Sequence, residues 1–339
     1  MSDKPVTIES VAYELPPHRI TSAWLENQIS GLLNRLRITP GQILALTGIR
    51  ERRFWDPHVT PSQAATMAAR KAIEKAGIAY RDIGVLVSTS VCKDYIEPSV
   101  ACLVHHNLQL SPHCLNFDIG NACLAFINAI TIVGMMIEKG QVEYGLIVDG
   151  ESSRQVVEST IQILNSPEST MQSLSDHFAT LTLGSGAAAM VLSHRNRSRT
   201  NHVIQQSVSL AATEHAHLCR GQRDQMITNA SSVMVNGVKL AHDTWMLASK
   251  QIRNWSDATI DHYIPHQVSQ RNMDVLNRKL GLTPEKHCLT FPYLGNIGPA
   301  AVPISLAIAE EEGRFKPGDH LALMGIGSGL NCTMMSIIW

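Results

Sequence analysis

From Pro61 the apolar residues Ala65, Ala68, Ala69, Ala72, Ile73 and Ala76 recur at helical spacing, and Gly77 supplies a C-terminal stop. Val85-Leu86-Val87-Ser88-Thr89 then runs as a buried strand. Cys114 to Phe117 reads as another strand, Asp118-Ile119-Gly120-Asn121 as a turn, and Cys123 opens an apolar helix running towards Lys139. Tyr144 to Val148 is the next strand, and Ala179 to Ser193 reads as a pair of strands around Gly184-Ser185-Gly186. A polar, basic stretch without apolar periodicity, His194 to Thr200, marks an internal boundary. Beyond it, strand and helix patterns resume at 203–210, 237–254, 262–264, 268–280, 299–312 and 320–324. Strands separated by crossover helices predict an α/β fold with a parallel-rich sheet between helices.

The chain of 339 residues is long enough for a sizeable core or two domains. A formal net charge of −1 gives no nucleic-acid footprint and no strongly basic membrane face. Cys123 to Ile137, the longest apolar-rich stretch, is 15 residues long and contains Asn128 and Thr131. A spanning helix needs about 20 apolar residues, so this is a core helix and no integral membrane segment is expected. Seven cysteines without paired spacing, and Met1-Ser2-Asp3-Lys4-Pro5 without a targeting pattern, lead to an expectation of reduced thiols in the cytoplasm.

Cys123, in Asn121-Ala122-Cys123-Leu124-Ala125-Phe126, carries the chemistry. A thiol at a helix N-terminus faces free N–H groups and the positive end of the helix dipole, which favours the thiolate. Most cysteines are simply buried. Two polar residues in similar settings argue otherwise: His266, in Tyr263-Ile264-Pro265-His266-Gln267, and Asn296, in Gly295-Asn296-Ile297-Gly298-Pro299. Cys, His and Asn far apart in sequence form a candidate nucleophile with carbonyl-stabilising partners.

These residues resemble the thiolase-fold condensing enzymes, in the ketoacyl synthase III branch. Thr47-Gly48-Ile49-Arg50-Glu51-Arg52-Arg53 is similar to that branch's early signature, Cys123, His266 and Asn296 to its catalytic trio, and Gly325-Ile326-Gly327-Ser328-Gly329 to its C-terminal glycine loop. The resemblance runs from about Val6 to Trp339 and implies a duplicated five-layer αβαβα sandwich. It divides the chain into residues 1–195, with the Cys and a dimer-loop Glu, and 196–339, with the His, the Asn and the glycine loop.

Glu97, in Tyr95-Ile96-Glu97-Pro98-Ser99, narrows the resemblance. Ordinary ketoacyl synthase III enzymes carry an apolar residue there, on a loop that crosses the dimer interface. A glutamate is similar to the OleA enzymes of bacterial olefin biosynthesis, which join two long-chain acyl-CoA molecules. The resemblance then implies a homodimer performing a non-decarboxylative Claisen condensation to a 2-alkyl-3-keto acid. Downstream olefin-pathway enzymes are its candidate partners. It implies an acyl-Cys123 intermediate, a first oxyanion hole at Cys123 and near Gly327-Ser328, a second one from His266 and Asn296, and Glu97 of the neighbouring subunit as base. The alternative is a decarboxylating ketoacyl-ACP synthase III that elongates an acyl-CoA primer with malonyl-ACP. A catalytically silent acyl-binding subunit is the rival from another class.

No cofactor is expected, since coenzyme A is part of the substrate, and no metal. Glu214-His215-Ala216-His217-Leu218-Cys219 has metal-like spacing if it is a strand, but no second ligand cluster accompanies it. Arg50, Arg52 and Arg53 are candidate phosphate contacts for CoA, with Phe54 and Trp55 near its adenine. Family members carry an adenine-stacking Trp before the Thr-Gly-Ile-Arg motif, where this chain has Gln42-Ile43-Leu44-Ala45.

Overall fold

A computed structural model describes residues 6–339; the N-terminal pentapeptide lies outside the described residues. Nine strands form one hydrogen-bonded sheet. Their order is His262–Pro265, His320–Gly327, Asn331–Ile338, His202–Ala211, Val6–Glu14, Gly186–His194, Tyr144–Glu151, Ile83–Ser88 and Leu115–Asp118. The sheet is mixed rather than parallel-rich: three neighbouring pairs are parallel and five antiparallel. The expected hairpin around Gly184 is also absent. Phe178–Thr182 is a 3-10 turn, and only Gly186–His194 is a strand. Leu183 instead bridges to Asn296, and a side chain at Gly184 would run into the Leu294 carbonyl at 1.9 Å.

Strand alternation builds the layers. Leu86, Leu146, Val148, Ala187, Ala189 and Val191 face the helices Pro61–Ala76 and Val100–Leu108. The intervening Val85, Val87, Ile147, Ala188, Met190 and Leu192 face the opposite way, onto helices Ala125–Glu138 and Ala301–Glu311. The same two helices receive Leu321 and Leu323, while Ala322 and Met324 turn outward to helices Ala230–Gln251 and Gln270–Leu280. The result is helix, sheet, helix, sheet, helix, with the two sheet regions joined where Thr7 and Ile8 pair with Val203 and His202. Phe126 is fully buried between them, and truncating it to Ala would cost about 3–5 kcal/mol.

Local sequence fixes the elements that support the site. Thr60 and Gln63 form a capping box, Pro61 begins the helix, and Gly77 ends it at φ +64°. Alanines on the inner face let this helix lie close to the sheet. A separate apolar cluster covers one end of the sandwich: Leu25, Ile29, Leu32 and Ile43 pack against Phe54, Val157, Leu164 and Leu181. Among the described residues no helix is long and apolar enough to cross a membrane.

Candidate active site

Cys123 sits in a 3-10 turn, Ala122–Leu124, that leads straight into the central helix Ala125–Glu138. Ala122 takes φ +45°, sharpening the bend between strand and helix. The glycine loop closes over this bend. A side chain at Gly327 would sit 3.2 Å from the Cys123 backbone nitrogen. Glycine therefore leaves the Cys123 N–H accessible to a substrate oxygen.

A cavity of about 1190 Å³ collects Cys123, His266, Asn296, Gly327 and Ser328 on one wall. His266 follows the end of the His262–Pro265 strand, with its backbone N–H donating to the Met324 carbonyl at 2.7 Å. Asn296 is clamped from both sides: its N–H donates to Thr182 O at 2.9 Å, and its carbonyl accepts from Gly184 N at 2.8 Å. The Asn296 Oδ1 accepts the Gly298 N–H at 3.0 Å. A backbone N–H can only donate, so this bond settles the amide orientation and leaves the NH₂ for a substrate oxygen.

Burial holds His266 down to about 4, with Gly298 pulling weakly the other way, so the imidazole is neutral at physiological pH. Its Nδ1 is buried without a hydrogen-bond partner. The Cys123 thiol moves opposite to the helix-dipole expectation. Burial, then the Glu151 carboxylate and Cys219, push it up to about 12. Desolvation and a like charge thus act against the N-terminal dipole and favour the thiol.

The cavity extends away from this wall along an apolar arm between helix Ala230–Gln251 and the sheet, past Val233, Gly237, Ala241, Ile326, Leu330 and Met334. At its other side Lys93, Arg154 and Arg223 supply cationic side chains.

The other residues singled out in the sequence lie elsewhere. Glu97 is exposed on a loop and does not line this chain's cavity, although its neighbours Asp94, Tyr95 and Ile96 do. Arg50 is exposed and also off the cavity. Arg53 donates to Pro16 O at 3.2 Å. Arg52 is fully buried, bonding Ser22 and Leu181 O. Trp55 is 3% exposed and donates its indole N–H to Glu151 O at 3.0 Å, so no ring face is free for an adenine. Residues Arg52, Arg53 and Trp55 are thus structural in their contacts, and the arginines at the cavity are Arg154 and Arg223. Thr213–Leu218 is a 3-10 turn, which removes the strand geometry that made His215 and His217 look like a ligand pair.

Sequence reasoning also passed over Glu151. It ends a strand whose apolar run stops at Val148, but pairing with the neighbouring strand continues to Glu151 opposite Gly186. Its side chain is 5% exposed at the cavity wall.

Comparison with known proteins agrees with this arrangement. Residues 117–209 match the family 3-Oxoacyl-[acyl-carrier-protein (ACP)] synthase III, and residues 251–339 match its C-terminal counterpart. The acyl-CoA:acyl-CoA alkyltransferase of Xanthomonas campestris pv. campestris is 42% identical over 98% of both chains. That of Shewanella oneidensis is 39% identical over 98% of this chain and 99% of its own. A crystal structure of Xanthomonas campestris OleA with bound lauric acid and lauroyl-CoA superposes with a TM-score of 0.96 at 41% identity, covering 99% of both chains.

Proposed function

Because the chain belongs to the ketoacyl synthase III family, in its acyl-CoA:acyl-CoA alkyltransferase (OleA) branch and with the thiolase fold, we propose that it joins two fatty acyl-CoA molecules head to head without decarboxylation. The observation that carries this reading is the single cavity in which Cys123, His266 and Asn296 meet at the root of a long apolar arm.

The Cys123 sulfur attacks the carbonyl of the first acyl-CoA, and its proton leaves with the CoA thiol. The tetrahedral oxyanion is held by the Cys123 N–H beside Gly327 and Ser328. The second acyl-CoA places its thioester oxygen between the neutral His266 ring and the Asn296 NH₂. A base removes the α-proton, and the enolate carbon attacks the acyl-Cys123 carbonyl. A C–C bond forms, the C–S bond breaks, and water then cleaves the coupled thioester to a 2-alkyl-3-keto acid and CoA.

Deprotonation at an unactivated α-carbon needs a base that a decarboxylating enzyme does not. Glu97 is that base, delivered to the cavity of a second subunit in a homodimer. Its exposed position, off its own cavity and beside exposed Tyr95 and Ile96, supports this. The CoA phosphates fit Arg223, which is exposed at the cavity, while Arg154 is held by Trp55 O and Glu158. No metal or further cofactor enters the reaction.

Product mass spectrometry on a single long-chain acyl-CoA, with no malonyl donor, tests the reading. A long β-keto acid or its ketone is expected. Turnover that needs malonyl-CoA or malonyl-ACP would falsify it in favour of the decarboxylating reaction.

A further inference from the structure

The loop that carries Glu97 has no regular structure between the strand ending at Ser88 and the helix starting at Val100. Carboxylates hold it in place. At the far foot Asp118 accepts the N–H groups of Val100 and Ala101 at 3.2 and 2.9 Å and pairs with Lys93 at 2.6 Å. In the middle Asp94 grips Ser62, at the start of the Pro61–Ala76 helix, through both its N–H and its hydroxyl. At the near foot Glu151 accepts the N–H of Val91 at 2.6 Å and of Cys92 at 3.3 Å.

Glu151 differs from the other two in what surrounds it. Like Asp94 it lines the cavity that holds Cys123, but of the three it alone also lies close to the Asn296 loop, where a side chain on Gly298 would sit 3.8 Å from its carboxyl carbon. One carboxylate therefore accepts two N–H groups at the root of the Glu97 loop and lies beside Gly298, on the loop that orients Asn296. Asp149 on the same strand, the Cys92 thiol, and Cys123 across the cavity are the titratable groups that act on it or feel its charge. Burying an acid here raises it to about 7, a cost that packing alone would avoid with an apolar residue.

We propose that Glu151 is a positioning residue for condensation: its carboxylate fixes the near foot of the Glu97 loop and ties that loop to the Asn296–Gly298 wall of the cavity. The inference rests on the reading of Glu97 as a base given to a neighbouring copy. It separates the two half-reactions. Acylation of Cys123 uses neither loop foot, whereas carbon–carbon bond formation needs Glu97 placed accurately in the partner's cavity.

The test compares the purified wild type with Glu151→Gln and Glu151→Asp on one long-chain acyl-CoA. Acylation is read as intact-protein mass and first-turnover CoA release, and coupling as product mass. Gln keeps the size but loses the charge, so Glu151→Gln is expected to acylate Cys123 at least as fast as wild type and to couple chains about tenfold more slowly or worse. Loss of the negative charge also moves alkylation of Cys123 to lower pH. Asp keeps the charge but not the reach to Val91. Glu151→Asp should therefore couple slowly while its Cys123 alkylation profile stays that of wild type. Wild-type coupling in Glu151→Gln, or equal loss of acylation and coupling in both variants, overturns the proposal. A wild type that acylates Cys123 but couples no chains without a malonyl donor overturns the functional reading and takes this proposal with it.

Discussion

The side-chain oxygen of Asn296 accepts the Gly298 N–H at 3.0 Å, which turns the amide NH₂ towards the cavity that Cys123 and His266 share. Asn296→Asp keeps the acceptor and the shape but presents an anion where a donor is needed. Acylation of Cys123 should persist, while coupling should fall by about 10²–10³, the usual cost of one oxyanion donor. Single-turnover acylation alongside product formation checks this, and equal rates for both steps in variant and wild type would contradict it.

The raised thiol of Cys123 has a kinetic signature. With the group pushed up to about 12, the thiolate fraction keeps growing through the alkaline range. The rate of Cys123 carbamidomethylation by iodoacetamide should climb steadily from neutral pH to about pH 10 without a plateau. A plateau near pH 7 would mean that the helix dipole governs the resting state after all.

Glu151 links function to stability. Burial raises it from 4.5 to about 7, so the folded chain holds this proton more tightly than the unfolded chain does. Between those values the native state binds more protons, and stability falls as pH rises through the window. Glu151→Gln should flatten that slope and leave the protein more stable than wild type at pH 8, with less difference near pH 4.5, while the raised Asp149 keeps its own share of the slope. Urea unfolding at the two pH values reads both differences.

Gly237 faces the apolar arm from helix Ala230–Gln251, and a side chain there would meet Ile326 at 3.2 Å. Gly237→Leu should block the arm beyond it. Turnover of long acyl-CoAs is expected to drop about tenfold or more while short ones are retained. Competition between short and long acyl-CoAs, scored by product mass, shows the shift, and an unchanged chain-length profile would place the acyl chain elsewhere.

Much of this site was legible in the sequence because its parts are short, local and punctuated. Cys123 stands at a strand-to-helix bend, His266 just after an apolar strand, and Asn296 in a glycine-proline turn. The alanine face of Pro61–Ala76 likewise declared its own boundaries. Long-range contacts were not legible. Glu151 looks like the polar end of a strand until pairing with Gly186 carries it into the cavity. Trp55 looks available until its indole is found bonded to Glu151 O beneath the Pro61–Ala76 helix. The Gly184 segment has the pattern of a hairpin, but the Asn296 backbone captures it. What opposes the dipole at Cys123 was hidden for the same reason, since burial and the Glu151 charge come from elements distant in sequence.

The central claim is that Glu97 of one subunit completes the Cys123 centre of the other, and mixing subunits tests it most directly. Cys123→Ala and Glu97→Ala are each expected to be unable to couple chains alone. Co-expressed and isolated as a mixed dimer, they leave one cavity with Cys123 from one chain and Glu97 from the other. The account predicts that the mixed dimer recovers coupling of a single long-chain acyl-CoA to about half the wild-type rate, one competent site of two. A mixed dimer as inactive as its parents would contradict it and place the base within the same chain as the nucleophile.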